Sequence, residues 1–97
     1  MSNLLIVTDS YQGGSFSITG VVSNYDVKAN QAAMFPGTLA KYATLQIRTD
    51  IACTLKFNAT ANAGIPLNAN ETRTFLVNYT NLFITTTATT AVQLFMT

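Results

Sequence analysis

The chain has 97 residues and a formal net charge of +1; 48% of its residues are hydrophobic and 9% are charged. An ordinary soluble domain has about 25% charged residues, and here Thr, Asn, Ser and Gln take the place of the missing charge. The five Lys and Arg residues form no basic stripe, and no apolar run approaches the roughly 20 residues that span a bilayer. We therefore expect neither nucleic acid nor a membrane as a partner.

Apolar and polar residues alternate along most of the chain, which is typical of half-buried β-strands. The clearest example is 51–58, where Ile51, Cys53, Leu55 and Phe57 alternate with small or polar residues. We predict strands at 4–8, 15–22, 43–48, 51–58, 73–77, 82–86 and 91–96, with short β segments near 26–29 and 65–67.

Turn-forming residues separate these strands. Gly13-Gly14 is expected to form a hairpin turn or bend, and the stretch 29–34 is expected to form one short helical turn. Seven to eight short strands with regular turns predict an all-β fold, an antiparallel β-sandwich or jelly-roll-like arrangement. We expect one domain over 1–97, in which 1–25 form an N-terminal arm plus the first strands.

A weak internal repeat supports this interpretation. The segments Y42-A-T-L-Q-I-R-T49 and Y79-T-N-L-F-I-T-T86 share Tyr, Leu, Ile and Thr at the same offsets. Each segment is followed by a second alternating strand. The repeat predicts two similar strand pairs that place Leu45, Ile47, Leu82 and Ile84 in the core.

The C-terminal part of the chain is free of charge, because no Asp, Glu, Lys or Arg follows Arg73. If 82–86 and 91–96 form a hairpin, Leu82 and Ile84 share the core face when they pair with Leu94 and Val92. The tip of that hairpin is 87–89.

In that pairing Phe83 and Phe95 form an exposed aromatic patch, since diagonal neighbours on one face of a sheet lie within reach of each other. Three alternatives stay open: the N-terminal strand or the 26–40 segment covers these rings, a neighbouring subunit or another protein covers them, or the pairing register is different. A terminal strand without Lys favours an edge that is already occupied. We predict interface roles for Phe83 and Phe95, and pairing across subunits for the strand Leu4, Leu5, Ile6 and Val7.

The side chains that carry most enzymatic chemistry are scarce. His is absent, which argues against a histidine-dependent catalytic triad and an ordinary zinc site. Asp50 is expected to accept backbone hydrogen bonds in its turn, and Cys53 is expected to act as a small apolar residue in the core. We therefore expect no enzymatic activity, no catalytic residue, no cofactor and no metal. The single Cys, together with a start that lacks a signal-peptide pattern, predicts a protein that is made and kept in a reducing cytoplasm, or released from it by lysis.

From Val27 onward the chain resembles a known class of proteins. A strand and a proline turn (M-F-P-G) lead to L-Q-I-R-T-D, then K-F-N, then I-P-L-N-A-N-E-T-R-T-F, N-L-F-I-T-T and V-Q-L-F-M. This order of strand types resembles small β-sandwich accessory proteins of tailed-bacteriophage virions, especially capsid decoration (cement) proteins and head-fibre or tail modules. The resemblance includes no diagnostic residue, so no functional residue is carried over from the family.

The resemblance implies a structural role. Decoration proteins sit on the outer capsid surface of the virion, often as trimers, and brace adjacent major capsid subunits. We expect the major capsid protein and further copies of this chain, as a trimer or another homo-oligomer, to be the partners. The alternative is a tail or fibre module that binds a cell-surface glycan. It predicts exposed Tyr side chains clustered with Asn or Asp around a groove at one end of the sandwich.

Overall fold

Two four-stranded antiparallel sheets pack face to face in the computed structural model, which describes residues 12–34 and 42–97. The predicted all-β sandwich is confirmed. Sheet A has the order β1-β8-β3-β6 and sheet B the order β2-β7-β4-β5. The strands are β1 Gln12–Ile18, β2 Tyr25–Asp26, β3 Tyr42–Thr49, β4 Cys53–Phe57, β5 Ile65–Leu67, β6 Arg73–Tyr79, β7 Leu82–Thr85 and β8 Thr90–Met96.

The core lies between the sheets because alternate residues of each strand point toward the other layer. In β8 the pattern is strict: Thr90, Val92, Leu94 and Met96 are buried and the residues between them are exposed. The predicted inward positions of the repeat are confirmed. Leu45, Ile47, Leu82 and Ile84 all have 1% or less of their surface exposed.

Aromatic side chains close the two long sides of the sandwich. On one side the rings of Phe16 from β1 and Tyr25 from β2 stack with centroids 5.9 Å apart. On the other side Phe57 contacts both Phe75 (5.5 Å) and Tyr79 (5.4 Å). Such contacts stabilise aromatic pairs by about 0.5–1.5 kcal/mol beyond the area that they bury. The core is therefore bounded by rings where the sheets end.

Within 12–34 and 42–97 the helical content is limited to two short turns, α1 (Val27–Asn30) and a 3-10 turn (Ala32–Met34), near the predicted position. Asp26 caps α1, since its Oδ1 accepts a hydrogen bond from the Ala29 N–H at 3.0 Å. The same oxygen accepts from Asn81 Nδ2 at 2.9 Å, which ties the turn to the start of β7. No helix in the described parts of the chain is long and apolar enough to cross a membrane.

The predicted hairpin of 82–86 with 91–96 is wrong, because β7 belongs to sheet B and β8 to sheet A. Leu82 pairs with Phe57, whereas Leu94 pairs with Ile47. The chain changes sheets directly after β7, where the buried Thr86 donates its N–H to the carbonyl oxygen of Val22 at 2.8 Å. Alternation fixes which face of a strand is buried, but it does not select the strand that pairs with it.

The predicted turn at Gly13-Gly14 is also wrong, because both glycines lie inside β1. Gly13 pairs directly with Phe95 of β8. A Cβ at Gly13 would meet the backbone of Leu94 and Phe95, so glycine permits a close approach of two strands here instead of a turn.

The internal repeat is preserved in space as a pseudo-two-fold arrangement. The chain passes from sheet A to sheet B between β3 and β4, and from sheet B to sheet A between β7 and β8. One half of the repeat is β3 and β4, and the other is β7 and β8. Strand β3 pairs with β8 and β4 pairs with β7, so equivalent positions of the two halves make equivalent pairs. The pair Leu45–Met96 corresponds to Leu82–Phe57, and the pair Ile47–Leu94 corresponds to Ile84–Leu55.

Candidate functional site

The outer face of sheet A carries little charge. On its described strands the outward side chains alternate with the core residues and are mainly hydroxyl, amide or apolar groups. Arg48 is the one charged side chain in this set. The outward residues are Ser15, Ser17, Thr44, Gln46, Arg48, Thr74, Leu76, Ala91, Gln93 and Phe95.

The outer face of sheet B differs from it in charge. Its outward residue Phe83 pairs with Asp26 on one side and with Lys56 on the other. The ring is half-buried between these two neighbours. The Lys56 Nζ donates to the carbonyl oxygen of Thr60 at 2.8 Å. Phe83 is therefore less exposed than Phe95 and has a charged residue on each neighbouring strand.

The predicted Phe83–Phe95 patch is wrong, because the two rings lie on opposite outer faces of the sandwich. Phe95 points outward as expected and 45% of its surface is exposed. It pairs with Gly13 in β1 and with Gln46 in β3. The predicted interface strand 4–7 lies outside the described residues.

A shallow groove runs along the outer face of sheet A beside Phe95. Its volume is about 250 Å³. The groove combines an aromatic ring, two amide side chains and a guanidinium group, a set that can bind the backbone and an acidic or apolar side chain of an extended segment. It is lined by Gln46, Ile47, Arg48, Thr72, Gln93 and Phe95.

Sheet A also exposes apolar side chains at its β6 edge, which the sequence-based interpretation missed. Leu76 has 83% of its surface exposed and Val77 has 37%. Leu76 points outward on the same face as Phe95, two strands away. The alternation within 73–77 did predict a strand. It carried no signal that this strand would lie at an edge, with one neighbour among the described strands.

The remaining sequence-based candidates have structural roles. Asp50 accepts a backbone hydrogen bond as predicted, although from Ala91 of β8 at 2.7 Å instead of from its own turn. Tyr79 is buried and donates its hydroxyl to the carbonyl oxygen of Thr44 at 2.8 Å, so it cannot stack on a sugar. Tyr25 is half-buried and its hydroxyl accepts from Gln31. No group of three or more His, Cys, Asp and Glu that could hold a metal is found within 12–34 and 42–97.

Cys53 is a buried core residue, as predicted, with its thiol 3.6 Å from the hydroxyl of Thr49. Burial raises the pKa of this thiol, because the charged thiolate is poorly solvated there. The thiol is thus held in its neutral and less reactive form.

We expect the Cys53 thiol to make the fold less stable at alkaline pH. The unfolded chain releases the Cys53 proton at a lower pH than the folded chain, so the free energy of unfolding falls once the pH exceeds the ordinary thiol pKa and until it passes the raised one. One group changes stability by at most about 1.4 kcal/mol per pH unit. Urea unfolding from neutral to alkaline pH should show a steeper decline for wild type than for Cys53→Val. Equal declines would contradict this expectation.

No known protein family matches the sequence, and no curated protein or solved structure matches it either.

Proposed function

We propose that the protein is a non-enzymatic structural component of a tailed-bacteriophage virion. In this proposal it is a capsid decoration protein on the outer capsid surface, where it docks on the major capsid protein and braces adjacent subunits. The docking surface is the outer face of sheet A around Phe95 and Leu76. The virion context comes from the resemblance of the strand order, and the choice of surface comes from the folded chain.

The observation that carries the proposal is the difference between the two outer faces. Among its described outward side chains sheet A presents one charge, Arg48, beside exposed Phe95 and Leu76, whereas sheet B flanks its half-buried Phe83 with Asp26 and Lys56. Interface cores are depleted in charged residues and enriched in aromatic ones. A face of this composition is suited to permanent contact with another protein.

The mechanism is the addition of contact area at many equivalent positions. One small face provides modest affinity. Contacts that join two neighbouring capsid subunits act together, because the second contact forms at high effective concentration once the first has formed. The chain thereby adds stability to a shell without carrying out any chemistry.

We expect Phe95→Ser to weaken binding to capsid shells by roughly tenfold or more, since burying one Phe side chain contributes about 1.5–3 kcal/mol. The probe is an empty shell assembled from the major capsid protein encoded in the same genome, and binding is measured by co-sedimentation. Phe83→Ser is the matched control, because it makes the same substitution at an outward position of sheet B. It should bind like wild type.

Circular dichroism of both variants should first show an intact fold. Absence of wild-type binding, or equal losses for the two variants, would overturn the proposal. A glycan array that captures the wild type, combined with no binding to shells, would favour the glycan-binding alternative.

A further inference from the structure

Among the described strands, the four sheet edges differ in how well they are protected against pairing with another strand. In sheet B, β2 has two residues, and β5 has three, one of which is Pro66. In sheet A, β1 contains Gly13 and Gly14. Short strands, proline and glycine all weaken an edge as a template for a further strand. The β6 edge has seven residues and contains no Pro, Gly or Lys.

The exposed side chains of β6 are uncharged. Thr74, Leu76 and Val77 are exposed, and Leu76 is the most exposed large apolar residue among the described ones. The charged residue of the strand is Arg73. Its guanidinium lies 4.9 Å from the ring centroid of Phe75 and donates to a carbonyl oxygen of β5, which holds the charge at one end of the strand.

We propose that β6 is an edge for self-association. Two copies of the chain pair antiparallel through β6 about a two-fold axis near Phe75, and their A sheets join into one eight-stranded sheet. Pairing through the main chain of an exposed edge is a recurring mode of protein recognition. A two-fold dimer is also the commonest form of homo-oligomer.

The charge on β6 favours a second copy in this orientation. A two-fold axis at Phe75 sets Arg73 opposite Val77 and Thr74 opposite Leu76 of the other copy. The two Arg73 residues are then separated by four residues, about 13 Å at 3.3 Å per residue, which exceeds the screening length of about 8 Å at physiological salt. A parallel pairing in register would place the two arginines side by side, which is unfavourable.

The geometry also sets the strength of this contact. A β-bulge lets Val77 and Asn78 of β6 oppose the single residue Ala43 of β3, and a bulge bends an edge. The unbroken register of β6 is therefore limited to Arg73–Leu76, far fewer than the roughly 20–30 residues per side of a standard interface. We expect a weak dimer that forms at high protein concentration.

The dimer also has a consequence for capsid docking, which depends on the proposed function; the self-association itself does not. A two-fold axis perpendicular to the joined sheet places both A faces, and hence both Phe95 rings, on the same side. Such a pair could dock on two neighbouring capsid subunits.

The test is sedimentation velocity of the purified full chain, without shells, from low micromolar to millimolar concentration. Wild type should shift from monomer to dimer, and Leu76→Lys should weaken dimerisation by about tenfold or more, because edge lysines oppose strand pairing. Val21→Lys is the matched control. It introduces the same charge at a residue that is 79% exposed and lies outside the strands, and it should dimerise like wild type.

A wild type that stays monomeric at millimolar concentration would overturn the self-association. So would equal weakening by Leu76→Lys and Val21→Lys. Thermal unfolding should be unchanged in both variants, since both positions are exposed. Because no shell is present, a failure here is distinct from a failure of the docking proposal, which is read from Phe95→Ser and shells.

Discussion

Replacing Leu94 with alanine is expected to lower the free energy of unfolding by about 3 kcal/mol, within the 2–5 kcal/mol typical of buried leucines. Leu94 is fully buried in β8, the strand that pairs with both β1 and β3. The neighbours on both sides are fixed in ladders, so the cavity left by the side chain cannot collapse easily. A small domain has only about 5–15 kcal/mol of stability in total. Urea unfolding should therefore show a much lower midpoint with an unchanged slope.

The adjacent residue provides the control. Phe95→Ala removes a larger side chain, but Phe95 points outward and is 45% exposed, so we expect a loss of about 1 kcal/mol or less. A one-residue slip of β8 would exchange the two faces of the strand. If Phe95→Ala were the more destabilising variant, the register of β8 described above would be wrong.

Gly13→Ala is expected to lower the free energy of unfolding by about 1–3 kcal/mol, the cost of inserting an extra methyl group into a packed site. The new Cβ would collide with the carbonyl oxygen of Leu94 and would lie 3.0 Å from the Cα of Phe95. Both are backbone atoms of β8, so relief requires β1 and β8 to move apart. Thermal or urea unfolding measures the loss.

Gly64→Ala separates backbone collision from the general effect of replacing a glycine. At Gly64 the added Cβ would meet the Cγ2 of Thr54 at 2.5 Å, but this is a side-chain methyl that can rotate away. We expect a smaller loss than at Gly13. A Gly13→Ala variant as stable as Gly64→Ala would show that β1 and β8 are less closely packed than described.

Local alternation predicted the parts of the fold that depend on one strand at a time. In 51–58 it assigned Ile51, Cys53, Leu55 and Phe57 to the interior; the last three are buried and Ile51 is half-buried. Burial follows directly from the two-residue period of a strand, because one face must leave water. The outward direction of Phe95 was predicted on the same basis.

The pairing of strands could not be read from the same signal. The 82–86 and 91–96 segments are adjacent in sequence and both alternate, so a hairpin between them satisfied every local criterion. The buried Thr86 hydroxyl instead donates to the carbonyl oxygen of Gly20 at 2.7 Å, a contact between distant parts of the chain. The candidate site was incomplete for a related reason: β6 lies at the edge of the described sheet A, and strand order is a property of the whole sheet.

The pseudo-two-fold arrangement has a consequence for the cooperativity of unfolding. Since β3–β8 and β4–β7 each join one half of the repeat to the other, unfolding of either half leaves each central strand of the other half with one of its two ladders. Opening should be all-or-none, and the amides slowest to exchange with deuterium should come from both halves alike. The two halves should therefore unfold together, whether the protein is heated or pulled at its ends.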